Sequence, residues 1–446
     1  MSALRLLVLP RRGSSVLAWL QLSASAVATL LAFAATLLAA AFWRVPTEEA
    51  GYRVLAIGLV SVLLVPLVTL GAATARLAAR SRDDRLATLR LLGASARRVR
   101  GIAVAEAALL AGGGVLLGTA AALLVLPVAL GALSVHGERL GAQQVWLPWW
   151  GAAAIPPALV AIAALSALLG LRRVVLSPLG VRTRQDAPRM GRMRLIAGLL
   201  VVGGAVLVTQ LASPGWGVAA LVIAFSLAVL AVMGVLGVVG PFVIAAVARA
   251  RIARTDDPAR LVAARGVLDD PKAAWRQVSA VALTSFILLP AGSLLGYLEA
   301  ISASASRTIM TPDQLLLFVD ARTMLVALVA IAFVVVACQI GITQTAAVLE
   351  RRELYVALDR LGMPRAALDR ARRLRVGMPA VVAIAGSALA ATALAGMLVA
   401  VAAVTAPLFV AGSALLLVLG FAMIRIGVAA TAPTVRRVLD APGRGE

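Results

Sequence analysis

The sequence predicts an all-α polytopic membrane protein with ten transmembrane helices, and its composition and charge distribution support this class. The chain has 446 residues, of which 62% are hydrophobic and 14% are charged, and its mean hydropathy is +0.99. A water-soluble core cannot bury so much apolar surface, and several apolar runs exceed the roughly 20 residues that a membrane helix needs. The basic residues give a formal net charge of +22, but they do not lie on one soluble domain. The charge therefore does not indicate a nucleic-acid partner.

Ten apolar spans follow one another along the chain. They lie at about 15–43, 54–75, 101–133, 151–171, 195–212, 217–248, 278–298, 323–345, 376–402 and 406–429. Three arginines precede the first span, as in a signal peptide, but this apolar run is about twice as long as the core of a signal peptide. We therefore expect an uncleaved first membrane helix.

The basic residues alternate between the two sides of the predicted membrane. With the N-terminus inside, the inner segments carry 37 of the 42 basic residues, and the outer segments carry the rest. This asymmetry predicts a multi-pass protein of the bacterial inner or plasma membrane with both termini in the cytoplasm. Eight arginines lie between Arg76 and Arg100. Each would cost roughly 2.5–3.5 kcal/mol at the membrane centre, so this segment stays in the cytoplasm.

The outer segments are short. The largest are residues 44–53, 134–150 and 299–322, and none can form an outer domain. The last of them ends in LLLFVD, for which we expect a small helix on the outer leaflet. With this segment in a loop, Glu106 is the only acidic residue expected within a span.

A basic amphipathic stretch, Arg80–Glu106, separates the second and third spans. Leu86, Leu89 and Leu92 recur in it at helical spacing, while arginines occupy the other faces. Gly93 is placed to end this helix, because glycine takes the left-handed conformation that helix ends often need.

A weaker copy of this stretch lies at residues 351–373. When Gly362 is aligned on Gly93 without gaps, Leu358 falls on Leu89 and Leu361 falls on Leu92. Pro364 follows closely, which is again a helix-stop signal. We therefore expect a second amphipathic helix that ends near Gly362.

The spans around the two stretches also correspond, which predicts an internal repeat. Span 2, the basic helix and spans 3 and 4 recur as span 8, the second basic helix and spans 9 and 10. Both copies have the same orientation, so we expect two four-helix repeats related by a pseudo-twofold axis along the membrane normal. The predicted domains are 1–182 for the first repeat, 183–276 for the linking helices 5 and 6, and 277–446 for the second repeat.

The stretch LATLRLLGASARRVRGIAVAEAALL, which begins at Leu86, resembles the signature of FtsX-like permeases, the MacB-type (type VII) subunits of ABC transporters. The residues that match are Leu89, Arg90, Leu92, Gly93, Ala94, Ser95 and Glu106. The resemblance covers residues 54–182 and 323–437. The layout is similar to that of ten-helix bacitracin-exporter-like permeases, without their large outer domain between helices 7 and 8. In the second copy Asp359 replaces Arg90, and Arg375 replaces Glu106.

The resemblance implies that the helices 80–93 and 350–362 are coupling helices, which rest in grooves on two separate cytoplasmic ABC ATPase subunits. An amphipathic helix suits this role, because it offers leucines to an apolar groove. The residues expected to contact the ATPases are Leu86, Leu89, Arg90, Leu92, Gly93, Ala94, Ser95, Leu354, Leu358, Asp359, Leu361 and Gly362. The second copy departs from the pattern, so we expect the first contact to matter more.

The chain itself is expected to be non-catalytic and to bind no cofactor. No GxxxxGK[ST] phosphate loop occurs in the sequence, so ATP and Mg²⁺ would be bound by the partner ATPases. A single histidine, His136, excludes an HExxH site and a histidine-based metal cluster.

Two further patterns concern contacts within the membrane. We hypothesise that Glu106 and Arg375 approach each other across the pseudo-twofold axis; the alternative is that both face lipid headgroups. A G-x-x-x-G spacing occurs among Gly112, Gly113, Gly114 and Gly118, which predicts close helix packing rather than a substrate path.

The function predicted from these observations is export or membrane extraction of a hydrophobic or amphiphilic substrate, such as a drug, a peptide antibiotic or a lipid. Antibiotic self-resistance is one role within this class. The alternatives are a non-transporting transmembrane signal transmitter and a secondary transporter. No polar cluster within the spans indicates substrate-binding residues.

Overall fold

The computed structural model describes residues 15–46, 50–80, 95–140, 147–176, 192–211, 216, 218–302, 311–350 and 352–432. These residues are almost entirely helical. The helices are α1 (Ser15–Trp43), α2 (Gly51–Arg80), α3 (Ala96–Gly131), α4 (Trp149–Leu176), α5 (Arg192–Leu211), α6 (Val218–Ile252), α7 (Pro258–Asp269), α8 (Pro271–Ser302), α9 (Pro312–Glu350), α10 (Arg352–Arg360), α11 (Arg365–Leu394), α12 (Gly396–Thr405) and α13 (Pro407–Ala430). Two short strands, β1 (Ser134–Val135) and β2 (Glu138–Arg139), form an antiparallel hairpin.

Nine of the described helices are long and apolar enough to cross a membrane. This confirms the all-α polytopic class. Eight predicted spans fall on one of these helices each, and the prediction 376–402 falls on the ninth, α11, and on the short helix α12 that follows it. The remaining prediction, 195–212, falls on α5, whose apolar part Ile196–Leu211 is shorter than a full span. The structure therefore supports a multi-pass membrane protein, and the tenth crossing stays a prediction.

The prediction of a separate small helix for LLLFVD is wrong, because these residues lie in the first turns of α9. This helix begins earlier than expected, at Pro312, because Thr311 and Gln314 form a capping box. The Gln314 backbone N–H donates to Thr311 Oγ1 at 3.3 Å, and the Thr311 backbone N–H donates to Gln314 Oε1 at 3.4 Å. The motif T-P-D-Q also places proline at the first helical position, where its missing N–H costs nothing.

The predicted ninth span, 376–402, is not one continuous helix. The helix α11 ends at Leu394, and α12 begins at Gly396. Thr209 of α5 donates its hydroxyl to the Leu394 carbonyl at 3.3 Å. A carbonyl released by a helix break in an apolar region needs such a partner, because lipid supplies none.

The chain divides into two compact units. Unit 1 comprises residues 1–44 and 67–183, and unit 2 comprises residues 45–66 and 184–446. The units reflect only which parts of the chain pack together. The division by repeat copy at residues 182 and 276 stays a prediction.

In unit 1, α3 packs against α1 and α4. The contact with α1 confirms the close packing predicted from the glycine spacing. A Cβ on Gly114 would lie 2.6 Å from the carbonyl oxygen of Leu22, and a Cβ on Gly118 would lie 2.7 Å from the Cβ of Thr29. These two glycines therefore let the two helices approach more closely than any side chain would allow.

Unit 2 is built around α8, which packs against α6, α9, α11, α12 and α13. Of its apolar span, 83% is buried, so this helix is enclosed by protein rather than by lipid. Lipid tails are as apolar as leucine, so the hydrophobic effect does not drive helices together within a membrane. Close packing and polar contacts stabilise such a core instead. One of these contacts joins α9 to α8, where Gln339 Nε2 donates to Ser279 Oγ at 3.3 Å.

Candidate partner-docking site

The helix α10 lies between the long helices α9 and α11 and corresponds to the second predicted coupling helix. Leu354 and Leu358 are four residues apart, and Leu361 follows three residues later. Residues at these spacings share one face of a helix, so the leucines form one apolar side. We call Leu354, Leu358 and Leu361 the α10 leucine face.

The end of α10 is fixed by its backbone, as the sequence predicted. Gly362 has a φ of +83°, in the left-handed region that favours glycine. The Met363 N–H donates to the Leu358 carbonyl at 3.1 Å, and the Gly362 N–H donates to the Asp359 carbonyl at 3.0 Å. These two bonds form a Schellman motif, which satisfies carbonyls left open at the helix end. Pro364 then precedes α11, so the turn between the two helices is short.

The α10 leucine face is largely open. Leu361 is 82% exposed and Leu354 is 45% exposed, while Leu358 is half-buried. The helix packs against α11. An amphipathic helix normally buries its apolar side. An open leucine face is therefore suited to a partner that supplies an apolar groove.

A polar network holds the start of α11, next to α10. The side chain of Arg372 is only 6% exposed, and it donates to Thr431 Oγ1 at 2.6 Å and to Asp369 Oδ1 at 2.8 Å. Arg373 also pairs with Asp369, at 2.7 Å. A buried arginine needs such partners, because an unpaired buried charge costs several kcal/mol. Thr431 directly follows α13, so this network ties α11 to the end of α13.

The same end of α11 is tied to α7. Arg370 Nη2 lies 3.1 Å from Asp257 Oδ2, and Asp257 also caps α7 by accepting from the Ala259 N–H at 3.0 Å. Arg375 donates its guanidinium to the Gly266 carbonyl. A displacement of α10 would therefore act on α11 at a point where α11 is already joined to α7 and α13.

The first predicted coupling helix falls mostly outside the described residues. Leu86, Leu89, Arg90, Leu92, Gly93 and Ala94 all lie there. Ser95 is described: its hydroxyl caps α3 by accepting from the Arg98 N–H at 3.4 Å. This capping role was not predicted, although a serine just before a helix is its usual signal. The contact of these residues with an ATPase stays a prediction.

The two members of the hypothesised Glu106–Arg375 pair are both half-buried. Glu106 lies on α3 in unit 1, and Arg375 lies on α11 in unit 2. The contact that the structure gives for Arg375 is the Gly266 carbonyl. The pairing with Glu106 stays a prediction.

One buried acidic residue was missed by the sequence reasoning. Asp320 lies within α9 and is 2% exposed, so Glu106 is not the only acid in an apolar helix. The hydroxyl of Tyr52, itself 1% exposed, donates to Asp320 Oδ2 at 2.6 Å and joins α2 to α9. Asp320 was assigned to an outer loop, and the capping box at Thr311 is the signal that would have placed it in the helix.

The fold defines a multi-pass α-helical membrane protein. Residues 54–176 match the family model of the FtsX-like permease C-terminal domain. This confirms the resemblance to FtsX-like permeases for that part of the chain. Permeases of this family are non-catalytic membrane subunits of ABC-type transporters and work with ABC ATPase partners. No curated protein matches the chain. The predicted second copy, residues 323–437, lies outside the family match, so the repeat stays a prediction.

Proposed function

We propose that this chain is the membrane subunit of an ABC exporter or extractor and that α10 is one of its two ATPase contacts. The observation that carries the proposal is the α10 leucine face, with Leu361 82% exposed directly after a helix that lies between two long apolar helices. The family match at residues 54–176 supports the same class from the other half of the chain. The other contact is assigned to residues 80–93.

The proposed motion begins when ATP closes the two partner ATPases and moves α10. The Schellman turn at Gly362 and the short connection through Pro364 join α10 closely to α11, so that the two helices would move together. The network around Arg372 then carries the displacement to α13, and the Arg370–Asp257 pair carries it to α7. A long helix displaced at one end tilts as a rigid body, so the far end of α11 moves as well.

The two ATPase contacts are proposed to be unequal. Asp359 stands at the position of Arg90, and its carboxylate lies 3.8 Å from Arg365 Nε. An ion pair at this distance between partly exposed groups contributes at most about 1 kcal/mol. We therefore infer that the second helix offers an acidic residue, weakly paired, where the first offers an arginine.

The proposed substrate is hydrophobic or amphiphilic and is taken from the membrane. The segments predicted to lie outside are short, and residues 134–140 form only a two-stranded hairpin. The largest part of the described chain consists of apolar helices with exposed leucines and valines. Drugs, peptide antibiotics and lipids fit this class, and antibiotic self-resistance is one proposed role.

Secondary transport is a second candidate because of Asp320. A buried acid within an apolar helix is a functional-site hypothesis by default. If this reading were right, substrate movement would follow a proton gradient without any ATPase, and Asp320→Asn would abolish it. The permease proposal predicts instead that transport requires an ATPase.

The leucine face is tested by exchanging Leu361 for a side chain of similar size. Leu361→Gln removes an apolar contact, and Leu361→Met retains one at the same position. Burying a leucine contributes about 1.5–3 kcal/mol, so we expect the Gln variant to bind the ATPase roughly 10–100-fold more weakly and the Met variant to bind almost normally. The measurement is co-purification with a co-expressed ABC ATPase and stimulation of its ATP hydrolysis.

The thermal unfolding midpoint is the control, because a residue that is 82% exposed should tolerate either exchange. Equal ATPase binding by the Gln and Met variants would contradict the proposal for α10. The first contact is tested in the same way with Leu92→Gln, which should reduce stimulated hydrolysis more than Leu361→Gln does.

A further inference from the structure

A cavity of about 590 Å³ opens in unit 2 between α6, α11 and α13. Arg251, Arg370, Arg373 and Arg425 line it, together with a single acidic residue, Asp369. Its apolar side includes Met378 and Phe421. The site thus combines an excess of positive charge with an apolar wall.

Among the described residues, two of the four arginines have an acidic partner and two do not. Arg370 is paired with Asp257, and Arg373 is paired with Asp369. Arg251 and Arg425 form no ion pair within the part of the chain that the structure describes, and both are exposed. Within these residues, their exposed charges are not neutralised by an acid.

The position of Arg425 is unusual for a topological anchor. It is the only charged residue of α13, a helix of the membrane-spanning class, and it lies five residues before the end of that helix at Ala430. At 1.5 Å per residue, Arg425 lies roughly 7–8 Å from that end of the helix. Ile426, the next residue of the helix, is 66% exposed. An arginine inside a membrane-spanning helix is rare and normally has a polar or charged partner.

A second cavity, of about 550 Å³, lies on the other side of Arg251. It shares Arg251, Leu374 and Met378 with the first cavity and adds Arg254 and Arg260 to the lining. Arg254 lies in the turn that follows α6. The guanidinium of Arg251 thus stands at the boundary between the two cavities, with further basic groups on either side.

We propose that the first cavity binds the phosphate of an anionic phospholipid from the leaflet at the basic end of unit 2. Arg251 and Arg425 would hold the phosphate, because a guanidinium binds phosphate oxygens through two parallel hydrogen bonds. Phe421 and Met378 would contact the upper acyl chains. Basic pockets between membrane helices are suited to anionic headgroups.

The observations favour a lipid over free phosphate. The apolar wall would contribute nothing to the binding of a small hydrated anion, but it matches a headgroup that continues into acyl chains. Arg425 also lies inside the apolar helix α13 rather than in a loop. The proposal does not depend on transport or on an ATPase, since it concerns this chain and the bilayer alone.

The test is native mass spectrometry of the full chain in detergent with equal amounts of phosphatidylglycerol and phosphatidylcholine. We expect the wild type to retain phosphatidylglycerol preferentially. The double variant Arg251→Gln with Arg425→Gln should bind it at least about tenfold more weakly, since each charge-assisted contact contributes more than one decade of affinity. The matched control is Arg249→Gln with Arg265→Gln, which removes two exposed arginines that line neither cavity.

Three results would overturn the proposal: equal retention by the cavity variant and the wild type, an equal loss in the control variant, or no preference for phosphatidylglycerol. Displacement of the lipid by millimolar inorganic phosphate would also overturn it and would identify free phosphate as the ligand. If the double variant does not fold, a photoactivatable phosphatidylglycerol can be crosslinked to the wild-type protein. Labelling is then expected on the peptide that contains Phe421, and labelling only elsewhere would refute the assignment.

Discussion

The exchange Gly118→Ala probes the closest helix contact of unit 1. The added Cβ would collide with the Ala26 carbonyl oxygen and would lie 2.7 Å from the Cβ of Thr29, whereas ordinary contact between such atoms begins at 3.4 Å. The helices α1 and α3 would have to separate locally by at least roughly 0.7 Å, and such overpacking costs about 1–3 kcal/mol. Both partners are backbone or Cβ atoms, so no side-chain rotation can relieve the overlap.

The matched control is Gly112→Ala, six residues earlier on the same helix. No atom lies within 4 Å of the position that its Cβ would occupy. Both exchanges gain the same helix propensity, about 1 kcal/mol, because alanine restricts the unfolded chain more than glycine does. The difference between the two variants therefore isolates the packing term.

The assay is reversible unfolding of the purified chain in detergent, followed by circular dichroism. We expect Gly112→Ala to be as stable as the wild type or slightly more stable. Gly118→Ala should lie about 1–3 kcal/mol below Gly112→Ala in the free energy of unfolding. If the two variants were equally stable, the close approach of α1 and α3 at Gly118 would not exist in the folded protein.

Two other exchanges test the turn after α10 and the buried acid. Gly362→Ala should destabilise the turn by about 1–2 kcal/mol and reduce ATPase stimulation, while Gly362→Asn should retain it, since asparagine tolerates the left-handed conformation. Nothing lies within 4 Å of a Cβ at this position, so the effect is conformational; equal stimulation by both variants would refute it. Tyr52→Phe removes the hydroxyl that donates to Asp320 and should lower the free energy of unfolding by about 1–3 kcal/mol. In a double-mutant cycle with Asp320→Asn the two effects should be non-additive, and full additivity would show that the hydrogen bond contributes nothing.

The class of the protein and the end of α10 were predictable because each depends on local sequence. Apolar runs longer than a membrane helix identify spans wherever they occur, and a glycine followed by a proline ends a helix with little help from tertiary structure. The glycine spacing at Gly114 and Gly118 likewise predicted a close contact, although it did not identify α1 as the partner helix. The start of α9 at Thr311 was also encoded locally, in a capping box that was not recognised.

The polar contacts of the candidate site were not predictable, because they join residues far apart in the chain. Arg372 and Thr431 are 59 residues apart, and Tyr52 and Asp320 are 268 residues apart. In the sequence Arg372 is one of many arginines in a basic segment, and only helix packing distinguishes it as buried. The break between α11 and α12 at Ala395 contains no proline, so the local sequence gives only a weak signal for it.

The central place of α8 has a consequence for biosynthesis. Of the five long or apolar helices that enclose α8, only α6 precedes it in the chain, and the others leave the ribosome later. Thr284, Ser285 and Ser293 are buried in the folded protein. When α8 enters the bilayer, most of the helices that bury these side chains have not yet been synthesised. The core of unit 2 is thus completed only after translation has reached α13, so the order of synthesis and the order of packing differ in this protein.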